Sequence, residues 1–282
     1  MPWPSWLSFS SQKTKKEEDT ASKDGASLSE KLAGSWETSL NKTDYTHYTS
    51  TQTITISAIT TLTTLALVRL WKTYLRRIPT VDYLKPGLFR RRSIYGYVTR
   101  VGDGDNFHLF HTPGGRLMGW GWMPGRKVQT LKGKELKDRT VHVRIAGVDA
   151  PEAAHFGRPA QPYSQEALDW LKGTVLNKYV RAYPYSRDQY DRVVSSVFRR
   201  KWIFFKSDVG LNMIKQGLAT VYEAKVGSEF GGQEEKYRAA EDKAKQKGLG
   251  MWQSGIWDKL TGKGKAPETP REYKKRMEAT AK

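Results

Sequence analysis

The stretch from Val141 to Glu152, VHVRIAGVDAPE, constrains this chain more than any other. Val141, Val143 and Ile145 alternate with His142, Arg144 and Ala146, a period of two that predicts a strand with one apolar face and with Arg144 on the other. Pro151 ends the strand. A residue before proline is held in extended geometry, so Ala150 keeps the chain out of a helix, and Asp149 and Glu152 arrive on a turn at the strand's end. One guanidinium and two carboxylates are thereby brought to one rim. A polar strand end followed by a surface turn has the same pattern, so this stretch by itself leaves structure and chemistry equally open.

The chain has 282 residues, of which 38% are hydrophobic, enough for one or two domains with a core. It has no cysteine, which excludes a disulfide-linked partner, a thiolate zinc site and a Cys nucleophile. Its net charge of +19 is unevenly placed: residues 1–51 hold six Lys/Arg against seven Asp/Glu, whereas residues 69–100 hold nine against one. A surplus that begins at Arg69 and continues to the end favours a polyanion, either nucleic acid or the phosphate surface of a membrane.

Residues 1–51 are polar and lack apolar periodicity, and a disordered tail is expected there. Glu17, Glu18 and Asp19 sit where a targeting presequence avoids acids, and the first apolar run begins too far from Met1 for a cleavable signal. No Asp, Glu, Lys or Arg occurs from Tyr45 to Val68. Residues 52–71 are predicted to form a single transmembrane helix, with Trp71 and Tyr74 at interface depth. Seven threonines between Thr51 and Thr64 lower its hydrophobicity, although in a helix their hydroxyls can bond backward to main-chain carbonyls. A Thr/Ile strand or a helix lying on a surface would compete with this reading. The basic flank Arg69, Lys72, Arg76 and Arg77 places the larger C-terminal part on the positive side of the bilayer. Residues 72–92, with Pro79, Pro86 and Arg90 to Arg92, read as a basic linker held near phosphates.

From Ser93 to Val101 the pattern alternates, reaches Gly102, Asp103, Gly104 and Asp105, and alternates again from Asn106 to Phe110: strand, turn, strand. Asp103 and Asp105 share a side if the chain stays extended between them. Asp-Gly is also ordinary hairpin chemistry. Residues 111–139 are Gly- and Pro-rich, contain Trp120, Trp122 and Arg126, and read as an elaborated hairpin. Ser164 is a capping residue at the head of a helix running to Lys172. Residues 175–185 and 192–198 form a predicted strand pair joined by Asp188 to Arg192. A short helix over 208–216, an extended piece over 218–222 and a helix over 233–247 that stops at Gly248 follow, with Trp252 as a core plug. Residues 254–282 read as a basic disordered tail.

Five short strands in two groups, with helices after the third and at the end, predict an α+β fold built on a small Greek-key barrel. Asp105, Arg144, Asp149, Glu152 and Arg192 then collect at strand ends. Two arginines and three carboxylates suit a phosphodiester. Hard oxygen ligands hold Ca²⁺ or Mg²⁺, guanidinium groups grip a phosphate bidentately, and a carboxylate orients water.

Residues 93–253 resemble the staphylococcal-nuclease-like (thermonuclease) family. The landmarks are VGDGD (101–105), RIAGVDAPE (144–152), DQYDR (188–192), the segment from Asn212 to Ala219, and GLGMW (248–252) after the closing helix. With the preceding apolar segment, the chain is similar to fungal, mitochondrial, membrane-anchored endonucleases of that family. The resemblance implies a five-stranded OB-fold barrel with about three helices, Ca²⁺-dependent hydrolysis of DNA and/or RNA, and a single-pass mitochondrial location. It implies Asp105 and Asp149 as metal ligands with the main-chain oxygen of Ala150, and Asp103 in support. Glu152 would be the base or water-positioning group, Arg144 and Arg192 the phosphate ligands, and Tyr190 an additional hydroxyl. Three departures stand out. Ala150 replaces the Thr of bacterial members, Asp191 replaces a usual Gly and sets an acid beside Arg192, and the loop over 111–139 is longer. A catalytically silent OB-fold binding module is the alternative. Glu152 and Asp149 favour the nuclease, because their charges repel a phosphate unless a metal lies between.

Overall fold

The computed structural model describes residues 46–154, 158–200, 205–222, 229–253 and 268–280. Most of the expected N-terminal tail and residues 254–267 lie outside them. The chain divides into two compact units at Arg69 and Leu70.

In the first unit, a helical turn at Thr46–Thr49 leads into α1 (Thr51–Leu70), none of whose side chains is buried. Three of its threonine hydroxyls donate backward, Thr55 to the carbonyl of Gln52 at 2.9 Å, and Thr60 to that of Ile56 and Thr64 to that of Thr60, both at 2.8 Å. The polarity of these side chains is thus spent inside the helix. The helical stretch from Thr51 to Leu75 is long and apolar enough to cross a membrane.

The second unit is built on a closed barrel of β1 (Ile94–Asp103), β2 (Asn106–His111), β3 (Val141–Ile145), β5 (Tyr179–Arg187) and β6 (Val193–Arg200). β1 pairs antiparallel with β2 and β5, β2 with β3, and β5 with β6, and a parallel pairing of β3 with β6 closes the ring. The predicted alternation holds on β3, where Val141, Val143 and Ile145 are buried. With Val98, Phe107 and Val197 they form the core. Gly147 has φ of +71°, and a Cβ there would meet the Phe230 ring at 2.5 Å. Only glycine allows the tight turn that carries the chain from β3 into the two-residue strand β4 (Val148–Asp149).

The helix α2 (Ser164–Val175) follows, then β7 (Lys206–Asp208), α3 (Val209–Lys215), β8 (Thr220–Val221), which pairs with β4, and α4 (Glu234–Lys247). Gly248 ends α4 in the left-handed conformation, as expected. Several expectations are corrected. Ser164 is the first residue of α2, its N-cap is Tyr163, and no side chain caps the helix. Met251 is the buried plug, whereas Trp252 is only partly buried and lies against Lys245. Residues 72–92 are docked rather than a free linker. Val81 and Leu84 enter the core, and the Ile78 main-chain N–H donates to His111 Nδ1 at 2.9 Å. The C-terminal stretch contains a helix, α5 (Pro270–Thr280), where disorder was expected.

Candidate active site

The catalytic candidates gather at one end of the barrel, where β1 turns into β2 and β3 runs out into β4. The chain does not stay extended from Asp103 to Asp105. It turns at Gly104, and Asp103 Oδ1 accepts the Gly104 N–H at 2.8 Å. That turn swings Asp105 toward β3, where its main-chain oxygen accepts the Ile145 N–H at 2.9 Å and its carboxylate lies 3.3 Å from Arg144 Nε. A Cβ on Gly104 would come within 2.7 Å of the Ala150 Cβ, so glycine lets the Asp105 turn close over Ala150.

Arg144 points from the polar face of β3 between two carboxylates, Asp105 and Asp149, the latter at 3.8 Å. Its other side faces the Tyr222 ring, with Cζ 4.7 Å from the centroid. Asp149 is buried on β4, only 4% exposed. Burial pushes its carboxyl above the ordinary range and Asp105 adds to this, while Lys274 and Arg144 pull it back down. Asp103 is also pushed up, by burial first and then by the charges of Asp105 and Glu152. Glu152 is fixed through its main chain. Its N–H donates to Gln161 Oε1 at 3.2 Å, and its carbonyl accepts the Gln161 N–H at 2.9 Å.

Arg192 sits two residues before Val194, the parallel partner of Arg144. Its holder is Asp188, not Asp191. Asp188 Oδ2 accepts from Arg192 Nε at 2.7 Å, while Oδ1 accepts the Tyr190 and Arg192 N–H groups, each at 2.9 Å. Burial raises the Asp188 carboxyl, but these hydrogen bonds outweigh it and hold the group below its usual value. Asp191 turns away to Arg187, at 2.6 Å, so the acid expected to weaken Arg192 is engaged elsewhere. It occupies a left-handed position, φ +56°, which explains why glycine suits that place. Tyr190 is exposed at the loop tip with its ring 5.1 Å from Arg192 Cζ.

Lys274 was not foreseen. Its ammonium from α5 lies 2.7 Å from Asp149 Oδ1 and 2.9 Å from Glu152 Oε1. Helix α5 is seated by Tyr273, which is 4% exposed and donates to the Pro159 carbonyl, and by Gln161, whose amide donates to the Glu268 carbonyl at 2.8 Å. A sequence signal for this helix exists. Thr269 and Glu272 flank Pro270 as a capping box, with Glu272 N donating to Thr269 Oγ1 and Thr269 N to Glu272 Oε2. Among the described residues no three His, Asp or Glu stand close enough to hold an ion as they are.

The family model described as "Staphylococcal nuclease homologue" matches residues 142–254, which include Arg144, Asp149, Glu152 and Arg192 but not Asp105. Relatives extend the likeness over nearly the whole chain. The Botryotinia fuckeliana protein named "Probable endonuclease lcl3" is 54% identical over 277 residues, 98% of either chain. Its namesake in Sclerotinia sclerotiorum is 55% identical over 276 residues, again 98% of each. That of Pyricularia oryzae is 59% identical over 251 residues, 89% of this chain and 93% of the relative. With an OB-fold barrel that presents Arg144, Asp149 and Glu152 at one rim, this chain belongs to the staphylococcal-nuclease-like family of fungal endonucleases, hydrolases of phosphodiester bonds.

Proposed function

We propose that the chain is a membrane-anchored, Ca²⁺-dependent endonuclease of DNA and/or RNA, held in a mitochondrial membrane by α1. The observation that carries the reading is the placement of Arg144 between Asp105 and Asp149 with Glu152 in the same mouth. The donors are oxygen atoms only, as a hard cation requires. A cation is already accommodated among them, since the Lys274 ammonium rests on Asp149 and Glu152. Asp105, Asp149 and the main-chain oxygen of Ala150 are the groups that would hold Ca²⁺, with Asp103 in support. Bound there, the ion supplies Lewis-acid stabilisation of charge on phosphate oxygens.

The chain's own residues then divide the remaining work. Glu152 takes the proton from the attacking water. Arg144, fixed on a strand, meets the charge that grows on the phosphate. Arg192, on a loop, grips the phosphate with its guanidinium, and Tyr190 beside it offers a hydroxyl. One observation favours a second reading: with Lys274 on Asp149 and Glu152, the site is neutralised as a silent nucleic-acid-binding module would have it.

Plasmid DNA and RNA digestion by the full chain in neutral detergent, with Ca²⁺, Mg²⁺ or EDTA, separates the two. Cleavage with Ca²⁺ that EDTA abolishes is expected. Retention of both substrates without cleavage would leave the binding module.

A further inference from the structure

The end of the barrel opposite the catalytic candidates holds a cavity of about 730 Å³. Strand β1 connects the two poles, beginning in the cavity wall at Ile94 and ending at Asp103. Ten residues at about 3.3 Å each separate them by roughly 30 Å along the strand. Six cations line the cavity, Arg76, Arg92, Arg116, Arg181, Arg200 and Lys206, and no Asp or Glu is among its lining residues. Tyrosine rings shape the wall: Tyr95 stacks on Tyr179 with centroids 5.6 Å apart, and Arg181 lies over Tyr95.

Beside this basic cavity, the loop following β2 presents apolar side chains to solvent. Leu117, itself part of the lining, is 93% exposed, and Met118, Trp122 and Met123 are exposed as well. The loop does not lack a base. Trp120 packs on Phe110, and its indole N–H donates to the Pro113 carbonyl at 2.9 Å. A firmly seated loop with a bare apolar tip next to a basic cavity has the two halves of an interfacial anchor: apolar groups that enter the acyl boundary and cations that meet headgroup phosphates. Thr73 to Arg76, three to six residues beyond the end of α1, form another part of the wall.

We propose that this cavity and loop tip bind the headgroup of an anionic phospholipid, so that the domain stands on the bilayer with its catalytic pole turned away. The proposal rests on the reading of α1 as a membrane anchor. Charge alone would also suit nucleic acid. The apolar tip and the distance from the catalytic carboxylates favour the lipid, because a strand seated in the cavity would gain nothing from Leu117 in water.

The absence of cysteine makes a direct test possible. Leu117→Cys in the full chain takes one environment-sensitive fluorophore, and Gln189→Cys gives a reporter at the catalytic pole. Each is reconstituted in phosphatidylcholine vesicles with and without phosphatidylserine, and quenching by nitroxide-bearing lipid is read. Flotation with neutral vesicles reports the α1 anchor separately. The position-117 label is expected to be quenched strongly only when phosphatidylserine is present, while the position-189 label stays unquenched in both. In an Arg181→Glu, Arg200→Glu background the phosphatidylserine titration is expected to shift by roughly tenfold or more, with flotation unchanged. Equal quenching at 117 in both vesicles, no quenching in either despite flotation, or a response to a single-stranded oligonucleotide or inorganic phosphate in place of the lipid would each overturn the proposal.

Discussion

Arg144 owes its position to one strand and its orientation to two acids, and a lysine there keeps the charge but loses the planar fork that spans them. Arg144→Lys is therefore expected to lower the single-turnover cleavage rate by roughly 10²-fold or more while barely weakening binding of a non-cleavable analogue. Glu152→Gln keeps the shape and removes the proposed base, with an expected loss of roughly 10²–10⁴ in rate and nearly intact Ca²⁺ binding. Asp149→Ala should lose both. Calcium titration and single-turnover kinetics on variants with matched thermal melts check these outcomes, and wild-type turnover in Glu152→Gln would remove that residue from the mechanism. His111 gives a pH prediction. Burial, then Arg77 and Arg92, lower its imidazole from 6.5 to about 4, and its neutral Nδ1 receives the Ile78 N–H. The unfolded chain thus binds the proton more readily. The contribution is full above pH 6.5, falls as pH drops toward 4, and is about 1–3 kcal/mol. Thermal melts from pH 7 to 4 should show this decline, and His111→Gln should make it shallower, the remainder belonging in part to His142, which burial, then His108 and Arg192, also lower to about 4.

Among elements, β3 was legible because period two is a local signal, and it sets Arg144; its exit was not, since the chain turns at Gly147 rather than at Pro151 and Asp149 lies on β4, paired with β8, instead of on the expected turn with Glu152. Nor was the loop before Arg192 legible. Which acid holds that arginine depends on a left-handed residue and on N–H groups that converge on Asp188, neither of which is visible in spacing. Helix α5 was hidden by composition. Lys, Pro and Glu predominate, and among the described residues it buries just Pro270 and Tyr273, so its stability comes from a cap and from docking rather than from an apolar stripe. Because Lys274 and a divalent cation would share Asp149, Lys274→Ala is expected to raise apparent Ca²⁺ affinity by roughly tenfold. The same change leaves a buried carboxylate without its ammonium, so the melting temperature should fall in EDTA and recover with Ca²⁺. Calorimetric titration and paired melts read both signs. Unchanged affinity would mean that α5 leaves the site freely.

For the whole molecule, the charge asymmetry around α1 predicts the topology. Arg69, Lys72, Arg76, Arg77 and Lys85 follow the apolar helix, against Lys42 before it. The nuclease domain is accordingly expected on the positive side of its membrane. Protease protection of a C-terminal epitope in sealed organelles tests this, and extraction by carbonate would defeat the anchor. The closure of the barrel has a further consequence in time. β3 and β6 meet in parallel, joining Val143 to Val193 across fifty positions of chain, whereas β1 with β2 and β5 with β6 are hairpins of neighbouring segments. Local pairings form early and distant ones late. Arg144 lies inside that seam and Arg192 borders it, and the pairing of β1 with β5 spans still more chain, from Ile94 to Ala182, so neither hairpin by itself can bring the two arginines proposed to grip phosphate side by side.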